Sequence, residues 1–242
     1  RDVDVKDFVS VGYSSRFAEH IVALLQEEEL LDWYMVQAGK HGCVPITRAT
    51  ESYPLILRKR LGTDSPGCLW AKGDLSVLDH PAIALVGSRE LNPRNRDFAR
   101  EVGRQAALQG LTLVSGNARG ADKAAQNACL EAGGRVISVV ADSLAEKTLQ
   151  DRILYLSEED FDAEFSAQRA LHRNRVIHAL GAKTFVAQIN AGFGGTWDGT
   201  VKNLRNDWSP VFCFDDGSEA FRMLIQMGAT PVTVTRLDRF YD

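Results

Sequence analysis

Three short turns hold most of the residues in this 242-residue chain whose types and spacing could do chemistry. Gly87-Ser88-Arg89 follows one apolar run. Ser115-Gly116-Asn117-Ala118-Arg119-Gly120-Ala121-Asp122-Lys123 follows a second, and Gly192-Phe193-Gly194-Gly195-Thr196 follows a third. Glycine in such places lets backbone N–H groups approach a ligand closely, and a helix starting just beyond presents unsatisfied N–H groups to an anion. Ser88, Ser115 and Thr196 add hydroxyl donors, and Arg89 and Arg119 add charge. The combination suits a phosphate. Tight turning alone would account for any one of these glycines; three turns that each carry a hydroxyl or an arginine point further. Asp122 and Lys123 fall in the first turn of the next helix, where the aspartate serves either the helix dipole or a ribose hydroxyl.

A further candidate lies on the segment from Glu164 to Leu180. At about 100° per residue, Ala170, Arg173, Val176, Ile177 and Leu180 share one arc, while Arg175 falls on the other side with Leu171 and His178. Arg173 thus sits within an apolar face. A buried arginine is costly unless paired, so Arg173 is either a pocket residue that holds an anion or one half of an ion pair with a core carboxylate. Arg175 is expected at the surface or on a secondary binding face. Phe193 and Trp197 either stack on bases or pack against the core.

Several chemistries lack support. There is no GxxxxGK[ST] for a nucleoside triphosphate, no GxGxxG after the first strand for a dinucleotide, and no GxSxG nucleophile elbow. His20, His41, His80, His172 and His178 lack metal-ligand spacing, and each reads as a surface or core histidine. Cys43, Cys68, Cys129 and Cys213 form no CxxC pair and read as reduced thiols in a cytoplasmic protein. No catalytic residue, metal or cofactor is expected.

These turns need strands before them and helices after them. Apolar runs at 82–86, 111–114, 135–140, 153–156, 184–189 and 210–214 read as strands, with 231–234 a candidate seventh. Helical segments at about 94–109, 120–132, 164–180, 196–205 and 218–228 lie between them. That alternation predicts a doubly wound, mainly parallel α/β sheet of extended Rossmann-like form, spanning residues 82–242. Residues 1–61 read as a small helical N-terminal region capped near Ser14 or Ser15, and 62–81 as an irregular connector that packs Leu69 and Trp70. The chain is 45% hydrophobic and 25% charged, ordinary values for a globular protein, and no apolar run approaches the roughly 18 to 20 residues of a membrane span. No membrane partner is expected. Its formal net charge of -4 means that a nucleic acid could bind only at a local basic cluster. The chain starts at Arg1 rather than at methionine, as a fragment would.

The ordered set SYPLILRKRL (52–61), CLWAKGDLSVLD (68–79), AIALVGSR (82–89), LVSGNARGADKAA (113–125), GGRVISVV (133–140), LSEEDF (156–161), HRNRVIHAL (172–180), GFGGT (192–196) and PVFCF (210–214) resembles the DprA/Smf family of DNA-processing proteins. The resemblance implies a Rossmann-like protein, not an enzyme, that binds single-stranded DNA during natural transformation, helps load a RecA-type recombinase and acts as a homodimer. It assigns the phosphate pocket to Gly87, Ser88, Arg89, Ser115, Gly116, Arg119, Gly120, Arg173, Asn174, Gly195 and Thr196. The chain departs from the family pattern at Gln126, where a histidine is usual, at ADSLAEKTLQ (141–150), and at GFGGTWDG, which replaces a serine-rich turn. The GGT turn is also similar to that of LOG-type nucleoside monophosphate phosphoribohydrolases. This leaves a nucleotide-binding sensor or such a hydrolase as the alternative. Those enzymes place a glutamate where Gly199 stands, with only Asp198 nearby.

Overall fold

The computed structural model describes residues 3–237, 239 and 240. Two compact units divide between His41 and Gly42. The first contains helices α1 (Val5–Ser10), α2 (Ser15–Leu25) and α3 (Glu28–Lys40). Asp4 and Asp7 form a capping box on α1, and the Ser14 hydroxyl accepts the Phe17 N–H to cap α2. Each cap satisfies an amide that the helix itself leaves unpaired.

Among the described residues the second unit has one nine-stranded sheet of order β1-β2-β6-β5-β4-β3-β7-β8-β9. The strands are β1 (Val44–Thr47), β2 (Cys68–Lys72), β3 (Ala82–Val86), β4 (Thr112–Ser115), β5 (Arg135–Val139), β6 (Ile153–Ser157), β7 (Thr184–Val186), β8 (Val211–Phe214) and β9 (Thr230–Val232). The helices are α4 (Leu55–Leu61), α5 (Pro93–Leu108), α6 (Ala121–Glu131), α7 (Ala167–Leu180), α8 (Gly195–Asn206) and α9 (Glu219–Gln226). All pairings from β6 to β9 are parallel. This is the expected doubly wound α/β fold. The chain winds outward from β3 through β4, β5 and β6, and α7 then carries it back to β7 on the other side of β3. The reversal opens a crevice at the C-terminal ends of β3 and β7, where α/β sheets bind ligands.

Strands buried on both faces explain the near-continuous apolar runs. Ala84, Val86, Val114, Ile137 and Val139 share a cluster with Val176, Ile177 and Leu180 of α7. The alternate residues Ile83, Leu85, Leu113 and Val136 are fully buried. Each such aliphatic side chain contributes about 1.5–3 kcal/mol on leaving water. On α5, a Cβ at Gly103 would stand 2.0 Å from the Ala125 carbonyl oxygen of α6, so only glycine allows this helix approach.

Two expectations are corrected at the sheet edge. The segment 62–81 is not wholly irregular, because Cys68–Lys72 forms β2 and pairs antiparallel with β1 and β6. Flanking glycine, proline and aspartate masked a run whose Leu69 and Ala71 are fully buried. The helical reading of residues 1–61 likewise misses β1, an edge strand in which Pro45 is tolerated because β1 pairs on one side alone. α7 begins at Ala167 rather than near Glu164, since Ser166 caps it by accepting the Arg169 N–H at 3.0 Å. Among the described residues no helix is long and apolar enough to cross a membrane.

Candidate functional site

At the β3/β7 crevice lies a cavity of about 820 Å³. It brings together Gly87, Ser88 and Arg89 after β3, Arg119 and Asp122 at the start of α6, Arg173 and Asn174 of α7, and Gly194, Gly195 and Thr196 at the start of α8. Helices α6 and α8 both open on glycine caps, Gly120 and Gly194, with positive φ of 85° and 93° and no side-chain cap. Their first-turn amides are therefore not covered by a capping side chain. At Gly120 the need for glycine is also steric, because a Cβ would lie 2.4 Å from the carbonyl oxygens of Ser88 and Arg89.

Arg173 dominates the electrostatics. It is only 7% exposed, yet its Nε and Nη1 have no hydrogen-bond partner among the described residues. Burial holds its pKa below the usual arginine value, while Asp122, Asp142 and Glu158 oppose that shift from a distance. Among the described residues, the core ion pair that sequence left open is thus not formed. The guanidinium lies against Gly116, where a Cβ would stand 1.9 Å from Nη1. Gly116 lines an adjoining depression of about 370 Å³ together with Arg89, Asn117, Arg119 and Arg173. A desolvated arginine with free donors costs stability unless an anion completes it.

Asp122 is buried and accepts the Ala118 N–H at 3.0 Å, which ties the turn to the helix. Desolvation is the largest influence on its carboxyl and pushes the pKa up to about 6, against the pull of Arg173, the Ala118 and Gly116 amides, and Lys123. Arg89 and Arg119 are exposed, and Arg119 makes a loose pair with Glu90 at 3.4 Å. Thr196 Oγ1 donates to the Gly87 carbonyl at 3.1 Å, Asn174 Nδ2 donates to the Gly195 carbonyl at 3.1 Å, and Ser88 Oγ donates to the Gln188 carbonyl at 3.3 Å. These bonds lock the β3 and β7 turns together.

Of the other sequence candidates, Phe193 and His178 also line this cavity, whereas Ser115, Lys123, Arg175 and Trp197 do not. Ser115 is fully buried with its hydroxyl accepting from Gln126 Nε2 at 2.7 Å, so it braces α6 against β4. Lys123 is exposed and binds Asn117 Oδ1 outside the main cavity. Arg175, expected at the surface, is half-buried and pairs with the buried carboxylate of Glu158 at 2.6 Å. His178, placed on the same arc, is fully buried because α8 and β7 cover that side of α7. Trp197 packs against the core whereas Phe193 stays 68% exposed. Asp198 pairs with Lys202 at 2.9 Å on the helix surface. Sequence reasoning missed Gln188, which lines the cavity and accepts the Asn92 N–H at 2.8 Å. No signal in the sequence pointed to it, because the strand reads through residue 189 whereas β7 ends at Val186.

Residues 45–239 match the family model for DNA recombination-mediator protein A. The chain belongs to this family. Among curated relatives, the DNA processing protein DprA of Streptococcus pneumoniae is 33% identical over 183 residues, covering 70% of this chain. Protein Smf of Escherichia coli is 27% identical over 249 aligned residues, covering 96% of it. This DNA recombination-mediator protein A family member spans about 64% of the length of either relative. Solved structures show the same fold at 23% identity. DNA processing protein A of S. pneumoniae superposes with a TM-score of 0.76, over 95% of this chain and 83% of its own. DNA processing protein A of Helicobacter pylori superposes at 0.67, over 82% and 93%. Within this family member, the departure at Gln126 is absorbed by the buried hydroxyls of Ser115 and Ser138.

Proposed function

We propose that this chain binds single-stranded DNA through the phosphate backbone in the β3/β7 crevice, as part of DNA processing in natural transformation. The observation that carries the reading is Arg173, buried with two unpartnered nitrogens at the junction of two depressions. A guanidinium in that state suits a phosphate, whose oxygens match its donor geometry. Arg89 and Arg119 at the rim supply the local positive cluster that an overall charge of -4 makes necessary. The exposed Phe193 offers a ring to a base. In support, the superposable Helicobacter pylori protein has a single-stranded DNA binding mode of its own. Gly87, Ser88, Gly194, Gly195 and Thr196 shape the pocket, Gly116 and Gly120 allow its turns, and Asn174 holds the α8 turn. Asp122 sets its local charge, Lys123 stands outside it beside Asn117, and Ser115 buttresses it from below. Assistance to a RecA-type recombinase, assembly as a homodimer and residence in the cytoplasm complete the reading.

Fluorescence anisotropy with a labelled oligothymidylate tests it. Log affinity falls with log salt at about 0.7 per neutralised phosphate. Arg173→Ala lowers affinity tenfold or more at low salt, since a hydrogen bond to a charged group contributes about 1.5–3 kcal/mol. Absence of binding by the unmodified chain at low salt refutes the reading. One observation keeps a small nucleotide as the second reading: the Asp122 carboxylate lines the same cavity as Arg173 and could take a ribose hydroxyl. Tight, salt-insensitive binding of a mononucleotide would favour it.

A further inference from the structure

The crevice continues along α7 past Arg173 and Asn174 to Ile177 and His178. His178 looks at first like a satisfied core histidine. Its Nδ1 lies 3.1 Å from Asn203 Nδ2 and 3.3 Å from Thr184 Oγ1. The orientation of the Asn203 amide is set by its other contact, because Oδ1 accepts the Ser209 N–H at 2.9 Å and leaves Nδ2 as the donor. His178 Nδ1 therefore accepts. Burial keeps the imidazole neutral, with its pKa pushed down to about 3. In a neutral ring whose Nδ1 accepts, the proton sits on Nε2.

The network beneath the sheet thus presents one N–H, and that N–H has no acceptor among the described residues. Nε2 lies against α8 at Gly199, where a Cβ would stand 3.3 Å from it and 3.1 Å from the Asn174 Cβ. Gly199 is the residue that leaves room for the ring at the wall of the crevice. The same crevice is lined by Arg173, whose Nε and Nη1 are also unpartnered.

We propose that His178 is a ligand-binding residue, its Nε2–H donating a hydrogen bond to a sugar-phosphate oxygen of the nucleotide unit whose phosphate Arg173 anchors. The inference rests on the phosphate reading given above. It adds an uncharged donor that needs no protonation, held in one tautomer by Asn203, Ser209 and Thr184. Two sources carry this chemistry, the backbone of a strand and a free nucleotide.

Nitrogen-15 NMR on the histidine-labelled full chain tests it, with an oligothymidylate, thymidine monophosphate and inorganic phosphate as separate probes. The free protein should show His178 as the Nε2–H tautomer, and its Nε2–H signal should shift when a probe binds. A shift with the oligothymidylate assigns the donor to a strand, and a shift with either small probe alone assigns it to a free nucleotide or phosphate. His178→Gln should weaken binding of the active probe by about threefold to tenfold. An Nδ1–H tautomer, or an Nε2–H signal that no probe moves while Arg173→Ala still abolishes binding, overturns the role of His178 and leaves the phosphate reading standing. Loss of binding by all probes in the unmodified chain overturns both. Because the NMR arm uses the unmodified chain, a His178→Gln variant that fails to fold leaves the decision intact.

Discussion

Gly116→Ala should act as an arginine deletion made without touching the arginine. The added methyl would stand 1.9 Å from Arg173 Nη1, 2.8 Å from Cζ and 2.9 Å from Nη2, all inside contact distance. Those atoms are the far end of a long side chain, so the guanidinium rather than the backbone gives way. The stability cost of crowding, about 1–3 kcal/mol, is offset in part by the 0.4–1 kcal/mol that alanine contributes through a less flexible unfolded chain. The variant should therefore fold, with a net loss of roughly 0–2.6 kcal/mol and a melting temperature lowered by at most about 10 °C. Binding should not survive so well. Displacing the guanidinium forfeits charge-assisted bonds of about 1.5–3 kcal/mol each, which corresponds to roughly tenfold to 150-fold weaker affinity per bond. Anisotropy titration of an oligothymidylate at low salt measures the loss, and thermal unfolding measures stability. The deciding comparison is a double-mutant cycle, in which Gly116→Ala combined with Arg173→Ala should bind no worse than Arg173→Ala alone. Additive losses, or a Gly116→Ala variant with parental affinity, would refute the claim that Arg173 holds the ligand from that position.

The raised Asp122 pKa has consequences for pH. With a folded value of about 6 against an ordinary 3.8, folding favours the protonated acid, so its contribution to stability is complete below pH 4 and lost as pH rises through 6. Two units correspond to about 3 kcal/mol, and Asp122→Asn should flatten the stability profile across pH 4–6 in urea unfolding curves. Oligonucleotide affinity should strengthen as pH falls through about 6, because protonation removes the negative charge that acts most strongly on Arg173. That dependence should vanish in Asp122→Asn. Gly103→Ala should destabilise the fold by at least 2 kcal/mol, since its methyl would meet the Ala125 carbonyl at 2.0 Å between two packed helices; an unchanged melting temperature would disprove this. Glu158→Gln should also cost stability, about 3 kcal/mol, by leaving the half-buried Arg175 without its partner at 2.6 Å, with oligonucleotide affinity little changed.

Local sequence carried the parallel sheet because each strand from β3 to β8 is apolar on consecutive residues and each crossover helix has its own cap or periodicity. It carried the three turns as well, since glycine followed by a hydroxyl or arginine is written in the chain itself. Arg173 within an apolar arc was legible for the same reason. The edge strand β1 and its neighbour β2 were not, because β1 is held by β2 and β2 in turn by β6, more than 80 residues further along. Nor could helical rotation assign Arg175 and His178, because both sides of α7 are covered by neighbours distant in sequence. Ser115 and Lys123 fit the turn pattern as well as Gly116 and Asp122 do. Only the folded chain turned the first pair away from the crevice and left Arg173 Nε and Nη1 there without a partner among the described residues, because where a donor finds its acceptor is set by elements that sequence proximity does not connect.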